Sequence, residues 1–408
     1  MKIAFIVGNF PVLSYTPILN QAMGLIDQGH EVDIFSFAHG DTEKIHTDVY
    51  KYKLLEKTVF LDPLSGVSER VRETRLVLDE KFSKKAGFKL PSLNLFRFVR
   101  DSITLLVFFR STILEGRGQY DIVHCQMGTV GLRFLPLHRL RLLGGKLIVQ
   151  FRGEDVTEFV KQNGDKAYSK LFREADYFLP VCDYLRKRAV ALGCPEDKIS
   201  VLRSGVDCKR FAFLERRRPA VGPTRIVFVG RLVEKKGVEY AIRAVSILKK
   251  RGYKVKLLIV GDGVLKNKLQ KLCKALNIEK SIAFLGAKNH DEIVEVLNNA
   301  HLFVAPSVTS RTGNQEGIPN VLKEAMAMGL PVVSTYHGGI PELVEDDVSG
   351  FLVAERDAEA LAERLGYLID HPDRWPKMGR AGRQFVERNY DKEKLNRQLV
   401  EIYRRLVG

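Results

Sequence analysis

The chain lacks the sequence signatures of several large protein classes. No stretch of its 408 residues approaches the ~18 apolar residues of a membrane span, and the apolar part of the N-terminus is too short for a signal peptide. The five cysteines are odd in number and show neither Cys-x-x-Cys nor zinc-ligand spacing. We therefore expect a cytoplasmic protein whose cysteines are reduced.

Two ligand-binding motifs are also missing. There is no Asp-x-Asp motif, so we expect neither a metal site nor a diphosphate held by a metal ion. The loop expected after the first strand contains Gly8 and Asn9 but lacks Gly-x-Gly-x-x-Gly spacing, which argues against an NAD-dependent enzyme. Because both motifs are missing, we expect no cofactor. No recognised nucleic-acid module is present either, so we expect no nucleic-acid partner.

The composition is that of a soluble globular protein with an excess of positive charge. Hydrophobic residues make up 45% and charged residues 28% of the chain. Because single hydrophobic cores stop growing at about 250–300 residues, 408 residues predict two domains. The net charge of +16 is the unusual quantity.

Part of this positive charge lies in two amphipathic segments. Residues 65–118 carry 11 Lys or Arg against 6 Asp or Glu, and residues 131–147 carry four basic residues and no acidic one. Leu and Phe are interleaved with these charges. Such segments suit an anionic membrane surface. The alternative is that the apolar sides cover a sheet while the charges face water.

The hydrophobic pattern predicts two consecutive α/β units, each with a parallel sheet. The charged, Pro- and Gly-containing stretch 213–224 reads as a linker between a first domain, 1–212, and a second, 225–384. The predicted strands are 2–7, 31–37, 121–125, 146–151, 177–181, 225–230, 254–260, 281–285, 301–305, 331–334 and 350–353. The predicted helices are 17–28, 93–114, 130–143, 184–192, 238–250, 264–276, 290–299, 318–328 and 357–370.

Glu316 and Glu324 stand in the most informative segment of the second unit. Pro319 favours a helix start nearby, because a first-turn proline loses no backbone hydrogen bond. On one helix, the two carboxylates would lie about 12 Å apart on roughly the same face. That separation suits contacts with the two ends of one extended ligand. The alternative is a surface helix with two solvated glutamates.

The surrounding pattern resembles a known family. Glu-Gly-x-Pro-x4-Glu-Ala-x-Ala-x-Gly-x-Pro-Val-Val-Ser begins at Glu316, and the segments 338–344 and 349–353 follow. This pattern is similar to that of the retaining GT-B glycosyltransferases of family 4, and the resemblance extends along the whole chain. The Gly-Ile-Pro run at 317–319 and the Ser-x-Thr run before it resemble exopolysaccharide and colanic-acid-type transferases. The resemblance implies an α/β GT-B fold, with two Rossmann-like domains facing across a cleft and a C-terminal helix, about 385–408, returning to the first domain.

The resemblance also implies a donor site. Arg231 and Lys236 would hold the donor diphosphate, where fixed cations stabilise the charge that develops on departure. Glu316 would orient the sugar, and Glu324 the ribose. Further residues at the donor would be Gly230, Gly317, Ile318, Pro319 and Asn320, with Gly8 and Asn9 facing them across the cleft.

Four residues are expected on the sugar or acceptor side of the cleft: His124, Gln126, Arg152 and Asp155. Gln126 stands where the family often has the second histidine of His-x-His. A glutamine amide, unlike histidine, cannot take up a proton at neutral pH, so we expect no histidine base in the reaction. His124 reads either as a packed residue or as a sugar contact. Arg152 and Asp155 would shape the acceptor side or brace the cleft.

The sequence thus predicts a metal-independent retaining glycosyltransferase. It would move a sugar from a UDP- or GDP-linked donor to a glycan or lipid-linked acceptor, at the inner face of the cell membrane. One alternative is a non-catalytic subunit that binds sugar nucleotides. Another is a GT-B synthase with a soluble acceptor, of the sucrose or trehalose type.

Overall fold

A computed structural model describes residues 1–12, 15–40, 45–61 and 106–408. The strands are β1 (Lys2–Phe10), β2 (Glu31–His39), β3 (Thr58–Phe60), β4 (Ile122–Cys125), β5 (Lys146–Phe151), β6 (Tyr177–Pro180), β7 (Thr224–Val229), β8 (Val255–Val260), β9 (Ile282–Gly286), β10 (Leu302–Ala305), β11 (Val332–Thr335) and β12 (Gly350–Val353). The helices are α1 (Thr16–Asp27), α2 (Thr47–Lys51), α3 (Leu106–Leu114), α4 (Gly128–His138), α5 (Glu158–Asn163), α6 (Ser169–Glu174), α7 (Asp183–Ala191), α8 (Val238–Lys250), α9 (Lys266–Ala275), α10 (His290–Asn298), α11 (Asn320–Ala327), α12 (Ala358–Asp370), α13 (Arg374–Asn389) and α14 (Lys392–Val407).

The strands form two parallel six-stranded sheets. Their orders are β3-β2-β1-β4-β5-β6 and β12-β11-β10-β7-β8-β9. In each sheet, successive strands are added outward in one direction and then in the other, starting from a single point. This reversal of strand order lies between β1 and β4 in the first sheet and between β7 and β10 in the second. In open α/β sheets ligands bind at such a reversal, beyond the carboxyl ends of the strands. The fold therefore directs attention to the loops after β1, β4, β7 and β10.

The predicted strands are confirmed, with bounds that shift by a few residues. β1 is longer than predicted, so Gly8 and Asn9 belong to the strand rather than to the loop after it. The short elements β3, α2, α5 and α6 were not predicted, because segments of three to six residues carry too little periodicity. Of the predicted helix 93–114, residues 93–105 lie outside the described part of the chain.

The C-terminal helix α14 packs on the first domain. Its apolar positions Leu395, Leu399 and Tyr403 follow the i, i+4, i+8 spacing of a buried stripe. The Asp391 side chain caps its first turn by accepting from Lys394 N (2.9 Å). The helix returns as expected, but residues 385–389 still belong to α13, so the crossing takes place at Tyr390 and Asp391.

The two crossings between the domains lie side by side. Val206 N donates to Tyr390 O (2.8 Å), and Lys392 N donates to Val206 O (3.1 Å). The stretch that was predicted as a linker is anchored, because the buried Arg216 guanidinium donates to the carbonyls of Asn298 and Met328 (2.7 and 2.8 Å). The two domains are thus joined by a double connection.

The basic segment 131–147 turns most of its apolar side chains toward the first-domain core, and none of them is fully exposed. Phe134, Leu135, Leu137 and Leu143 are buried in the first-domain core. Two of its basic residues are also paired: Arg139 with Glu174 (2.6 Å) and Lys146 with Asp176 (3.2 Å). Here the alternative holds, in which the apolar side covers a sheet. Most of the other segment, 65–105, lies outside the described residues.

Within the described ranges, no helix is both long and apolar enough to span a membrane.

Candidate active site

A cavity of about 570 Å³ lies between the two sheets. The second domain contributes the ends of β7 and β8, the loop after β9, and the segment 316–321 with Glu324. The first domain contributes Val12 and residues 15–18, Met127, Arg152, Val181 and Ser204. These positions follow the carboxyl ends of strands in both sheets, where the topology predicts a ligand site.

A larger hollow, of about 800 Å³, lies at the opposite edge of the first sheet. It is lined by residues around the amino ends of β4, β5 and β6, among them Arg139 and Lys146, which are already paired with carboxylates. It contains none of the residues that the sequence predicted for the site. The chemistry therefore belongs to the cavity between the sheets.

The Glu316 carboxylate lies against two lysines in this cavity. Its Oε1 is 3.0 Å from Lys236 Nζ and 3.4 Å from Lys235 Nζ. Glu316 is only 9% exposed, and such burial by itself raises a carboxyl pKa, but the two lysines outweigh it and lower the pKa of Glu316 to about 2. Glu316 is therefore ionised at neutral pH and electrostatically fixed.

The backbone of Glu316 is fixed by contacts with His337 and Gly338. Its N–H donates to His337 Nε2 (3.0 Å). Because Nε2 accepts, the ring proton lies on Nδ1, which donates to Glu355 Oε1 (2.6 Å). Gly338, at φ +54°, lies so close that an added Cβ would be 2.1 Å from Glu316 O. These contacts fix the loop that carries the carboxylate.

Glu316 is not on the helix that carries Glu324. Helix α11 begins at Asn320, and Pro319 is its N-cap residue rather than part of its first turn. The prediction that both carboxylates lie on one helical face, and the spacing calculated from it, is therefore wrong. Both residues nevertheless line the same cavity, together with Gly317, Ile318, Pro319 and Asn320.

Glu324 is buried and contacts a histidine that bridges the domains. Its Oε1 is 3.7 Å from His290 Nε2, while its Oε2 has no hydrogen-bond partner among the described residues. His290 Nδ1 in turn lies 2.6 Å from His46 Nε2 of the first domain. A buried carboxylate oxygen without a partner at a cavity wall is suited to accept a hydrogen bond from a ligand hydroxyl.

The cationic loop after β7 is shaped by glycines. Gly230, Arg231 and Lys236 all line the cavity, and the Arg231 side chain is exposed there. Gly261 lies at φ +132°, and an added Cβ would be only 2.0 Å from Gly230 O. The two loops can thus approach each other only with glycine at this position. The arrangement leaves a guanidinium and an ammonium at the carboxyl edge of the sheet.

The loop after β1 reaches the cavity farther along than predicted. Gly8 and Asn9 pair with β2 as strand residues and do not line the cavity, whereas Tyr15 and Thr16 do.

His124, Gln126 and Asp155 are buried behind the cavity wall rather than in it. His124 Nδ1 lies 2.6 Å from the Tyr403 hydroxyl of α14, and burial lowers the pKa of His124 to about 3. In the structure His124 is a packed residue of the first domain. The Asp155 carboxylate accepts from the backbone N–H groups of Gly128, Arg152 and Gly153, so it fixes two loops.

Arg152 is the one acceptor-side prediction that lines the cavity. Its Nη2 donates to Gln126 Oε1 (2.6 Å) and Gln150 Oε1 (2.9 Å), and its Nε donates to the Gln126 carbonyl (2.9 Å). The Gln126 amide oxygen is therefore bound to Arg152, which places Gln126 one contact away from any ligand.

The two domains touch around Glu316. Gly153, at φ +141°, packs so that an added Cβ would be 2.9 Å from Gln315 O. Asn314 Nδ2 donates to Glu158 Oε2 (2.6 Å), and Tyr184 donates a hydrogen bond to Gln315. From the second domain, Glu342 accepts from Asp183 N and Tyr184 N (2.9 and 2.7 Å), which stabilises the positive N-terminus of α7.

Sequence reasoning missed Lys235, His290 and Tyr15. Lys235 stands next to Lys236 in the same loop, so its contact with Glu316 could have been anticipated from the motif. His290 and Tyr15 carry no local signal, because their places at the cavity follow from how the two domains meet.

Among the described residues, no group of three or more His, Cys, Asp or Glu side chains is arranged to hold a metal ion. The metal independence of the reaction stays a prediction from the sequence.

Comparison with known proteins identifies the family. Residues 18–210 match the model described as Glycosyltransferase Family 4, and residues 211–385 match Glycosyl transferases group 1. The chain is 36% identical over 410 residues to WcaL of Escherichia coli (strain K12), a protein named for a glycosyltransferase role in colanic acid biosynthesis, and 35% identical over 412 residues to the amylovoran biosynthesis glycosyltransferase AmsK of Erwinia amylovora. Both alignments cover 100% of each chain. The chain belongs to the glycosyltransferase family that includes WcaL and AmsK. It is accordingly an enzyme, a hexosyltransferase.

Solved structures agree on the fold of this glycosyltransferase. A glycosyltransferase from Rickettsia africae superposes with a TM-score of 0.69 at 18% identity, covering 100% of this chain and 99% of that one. HepE from Anabaena, solved with UDP-glucose, superposes with a TM-score of 0.71 at 16% identity, covering 98% and 99%. The GT-B fold, with two Rossmann-like domains, is thereby confirmed.

The environment of Gly338 yields a prediction about this glycosyltransferase. Gly338→Ala should lower the rate of sugar transfer tenfold or more, because a displacement of about 1 Å at a reacting site can cost about 100-fold. Gly164→Ala is the matched control, since Gly164 also has a positive φ (+83°) but nothing within 4 Å of its added Cβ. Steady-state rates and melting temperatures should be measured for both. Equal rates in the two variants would contradict the account of how Glu316 is held.

Proposed function

We propose that the protein is a metal-independent, retaining glycosyltransferase of exopolysaccharide synthesis that uses a UDP- or GDP-linked sugar. One observation carries this proposal: a buried, ionised carboxylate, Glu316, lies against two lysines in the same cavity as Arg231 and the half-unpartnered Glu324. Cations and acidic oxygens in one cavity match the charges of a nucleotide sugar, whose phosphates are anionic and whose sugars carry hydroxyl donors.

In this proposal Arg231 and Lys236 bind the diphosphate. Breaking the bond between sugar and phosphate builds negative charge on the leaving group, and fixed cations stabilise that charge where it develops. Lys236 is already oriented by Glu316 at 3.0 Å, so little reorganisation is required when the donor binds. The same cations supply the charge that a metal ion would otherwise bring.

Glu316 orients the transferred sugar in this scheme and does not act as a general base. A carboxylate whose pKa is lowered to about 2 by two lysines has little affinity for a proton at neutral pH. The nearby His124 is buried and cannot reach the cavity. The acceptor hydroxyl therefore transfers its proton to the departing phosphate and attacks the face that the phosphate leaves, which retains the anomeric configuration.

Glu324 binds the ribose in this proposal. Its free Oε2 is suited to a hydroxyl of the nucleotide, and His290 beside it closes that end of the cavity. The full-length similarity to WcaL and AmsK supports an acceptor that is a glycan or a lipid-linked glycan of a secreted polysaccharide. The presence of Glu316, Arg231 and Lys236 in one cavity argues against a non-catalytic subunit.

The diphosphate assignment predicts that Arg231→Ala and Lys236→Ala each reduce turnover at least tenfold without unfolding the protein. The loss of a charge-assisted hydrogen bond is worth about 1.5–3 kcal/mol. The matched control is Lys266→Ala, because Lys266 lies near the same sheet edge but pairs with Asp262 (2.7 Å) and does not line the cavity. Turnover near that of the wild type in either purified, folded variant would refute the assignment.

Metal independence predicts that turnover persists in excess EDTA. The rate should be measured before and after chelation, and again after adding magnesium or manganese. If chelation abolishes activity and either ion restores it, the cations of the cavity do not suffice and this part of the proposal is wrong.

We further propose that residues 65–118 attach the enzyme reversibly to the anionic inner face of the cell membrane, since 131–147 offers no exposed apolar side. Each Lys or Arg near such a surface contributes about 1 kcal/mol. In vesicle co-sedimentation at low salt, a variant with four lysines changed to serine (Lys81, Lys84, Lys85 and Lys89) should pellet less than the wild type. A control variant changes four exposed lysines of the second domain (Lys249, Lys250, Lys271 and Lys274). Equal pelleting of both variants would contradict this proposal.

A further inference from the structure

The guanidinium of Arg152 is a charged group that the proposed donor site does not use. Arg152 follows β5 and enters the cavity from the first domain. Its backbone lies against the loop that carries Glu316: an added Cβ at Gly317 would be 3.0 Å from Arg152 O, and one at Gly153 would be 2.9 Å from Gln315 O. Arg152 is therefore next to the segment that holds the sugar end of the donor.

The side-chain contacts of Arg152 among the described residues are all with neutral groups. Nη2 is surrounded by the amide oxygens of Gln126, Gln150 and Gln21 (2.6, 2.9 and 3.4 Å). Nη1 makes one long contact, 3.5 Å to Ser204 Oγ. The glutamines fix the plane of the guanidinium, and Nη1 is left with donor capacity at the cavity wall.

The charge of Asp155 partly offsets the burial of Arg152, but no ion pair among the described residues joins the two side chains. Asp155 accepts from the backbone N–H of Arg152 and of two glycines, and its carboxylate makes no contact with the guanidinium. A second cation nearby, the buried Lys323, donates to Ser204 O (2.6 Å). Burial lowers the pKa of Arg152 to about 10 and that of Lys323 to about 7. A partly desolvated cation whose hydrogen-bond partners are all neutral is costly, and a bound anion would offset that cost.

This cation is separate from those assigned to the diphosphate. Arg231 and Lys236 belong to the loop after β7 in the second domain, whereas Arg152 projects from the opposite wall. A nucleotide sugar with a neutral hexose has no anionic group left for it. The fixed guanidinium plane matches a carboxylate, which accepts from a guanidinium with more directional hydrogen bonds than a hydroxyl does.

We propose that Arg152 binds the carboxylate of an acidic sugar, a uronate, carried either by the donor or by the acceptor. The inference rests on the proposed function, because it takes the neighbourhood of Glu316 as the sugar end of the cavity. It assigns the substrate class: at least one of the two sugars joined by this enzyme is a uronic acid. Gln21, Gln126 and Gln150 are positioning residues for this contact.

Calorimetry on the full-length protein tests the proposal, after free UDP and GDP have been compared to find the nucleotide that binds. The donor arm compares UDP-glucuronate with UDP-glucose, or GDP-mannuronate with GDP-mannose. The acceptor arm compares methyl glucuronide with methyl glucoside, with the nucleoside diphosphate already bound. In one arm the wild type should prefer the uronate by about tenfold, as expected for a charge-assisted hydrogen bond. The arm with the preference identifies which substrate carries the carboxylate.

Arg152→Gln should abolish this preference while leaving the affinity for the free nucleoside diphosphate unchanged. Arg231→Gln is the matched control and should weaken the nucleoside diphosphate itself. Arg152→Lys keeps the charge but loses the guanidinium plane that the glutamines fix, so it should reduce the preference severalfold, and it serves if the glutamine variant does not fold. Unchanged nucleotide affinity also reports an intact cleft.

Three results would overturn the inference. If the wild type shows no uronate preference in either arm, or if Arg152→Gln retains the preference, Arg152 is only a brace for the cleft. If Arg152→Gln weakens the free nucleoside diphosphate as much as Arg231→Gln does, Arg152 is a diphosphate ligand. Failure of the proposed function is distinct, because neither UDP nor GDP would then bind the wild type.

Discussion

The ion pair between Lys236 and Glu316 is the interaction on which the site depends. A carboxylate that is taken out of water loses several kcal/mol of hydration, and only a close opposite charge compensates for that loss. Lys236 at 3.0 Å, with Lys235 at 3.4 Å, provides this compensation. The pair links the loop after β7 to the loop that precedes α11, and these loops flank the point where the strand order of the second sheet reverses. Preorganised charges of this kind lower a barrier without reorganising during the reaction.

The rest of the molecule keeps that pair in place from both domains. His337 and Gly338 hold the backbone of Glu316 from the second domain. The first domain closes over the same loop through Gly153 and Tyr184. The double crossing beside Val206 brings α14 back to the first domain. The two domains are thus joined by the chain itself as well as by contacts across the cleft. The wall of the cavity in the second domain is thus fixed electrostatically, and the opposite wall forms where the first domain packs against it.

The fold could be predicted from the sequence because its signals are local. Short apolar runs alternating with helical patterns predict parallel sheets, and the run from Glu316 to Ser334 identified the family. The position of Glu316 could not be predicted in the same way. Pro319 was read as a first-turn residue, but it is the N-cap of α11. Glu316 precedes this helix, in a loop that is fixed by residues distant in sequence. His124 and Arg152 show the same limit. His124 lies near the end of β4 and Arg152 directly follows β5, yet the returning helix buries His124, and a group of glutamines holds Arg152 at the cavity wall.

A double-mutant cycle on Lys236 and Glu316 tests most directly whether this ion pair organises the site. Turnover should be measured for Lys236→Met, Glu316→Gln and the double variant, each checked for folding by its melting temperature. If each residue acts through the other, the double variant should be little slower than the slower single variant, with a coupling free energy of roughly 0.5–3 kcal/mol. If the two losses simply multiply, the residues act independently and the central role of the pair is contradicted.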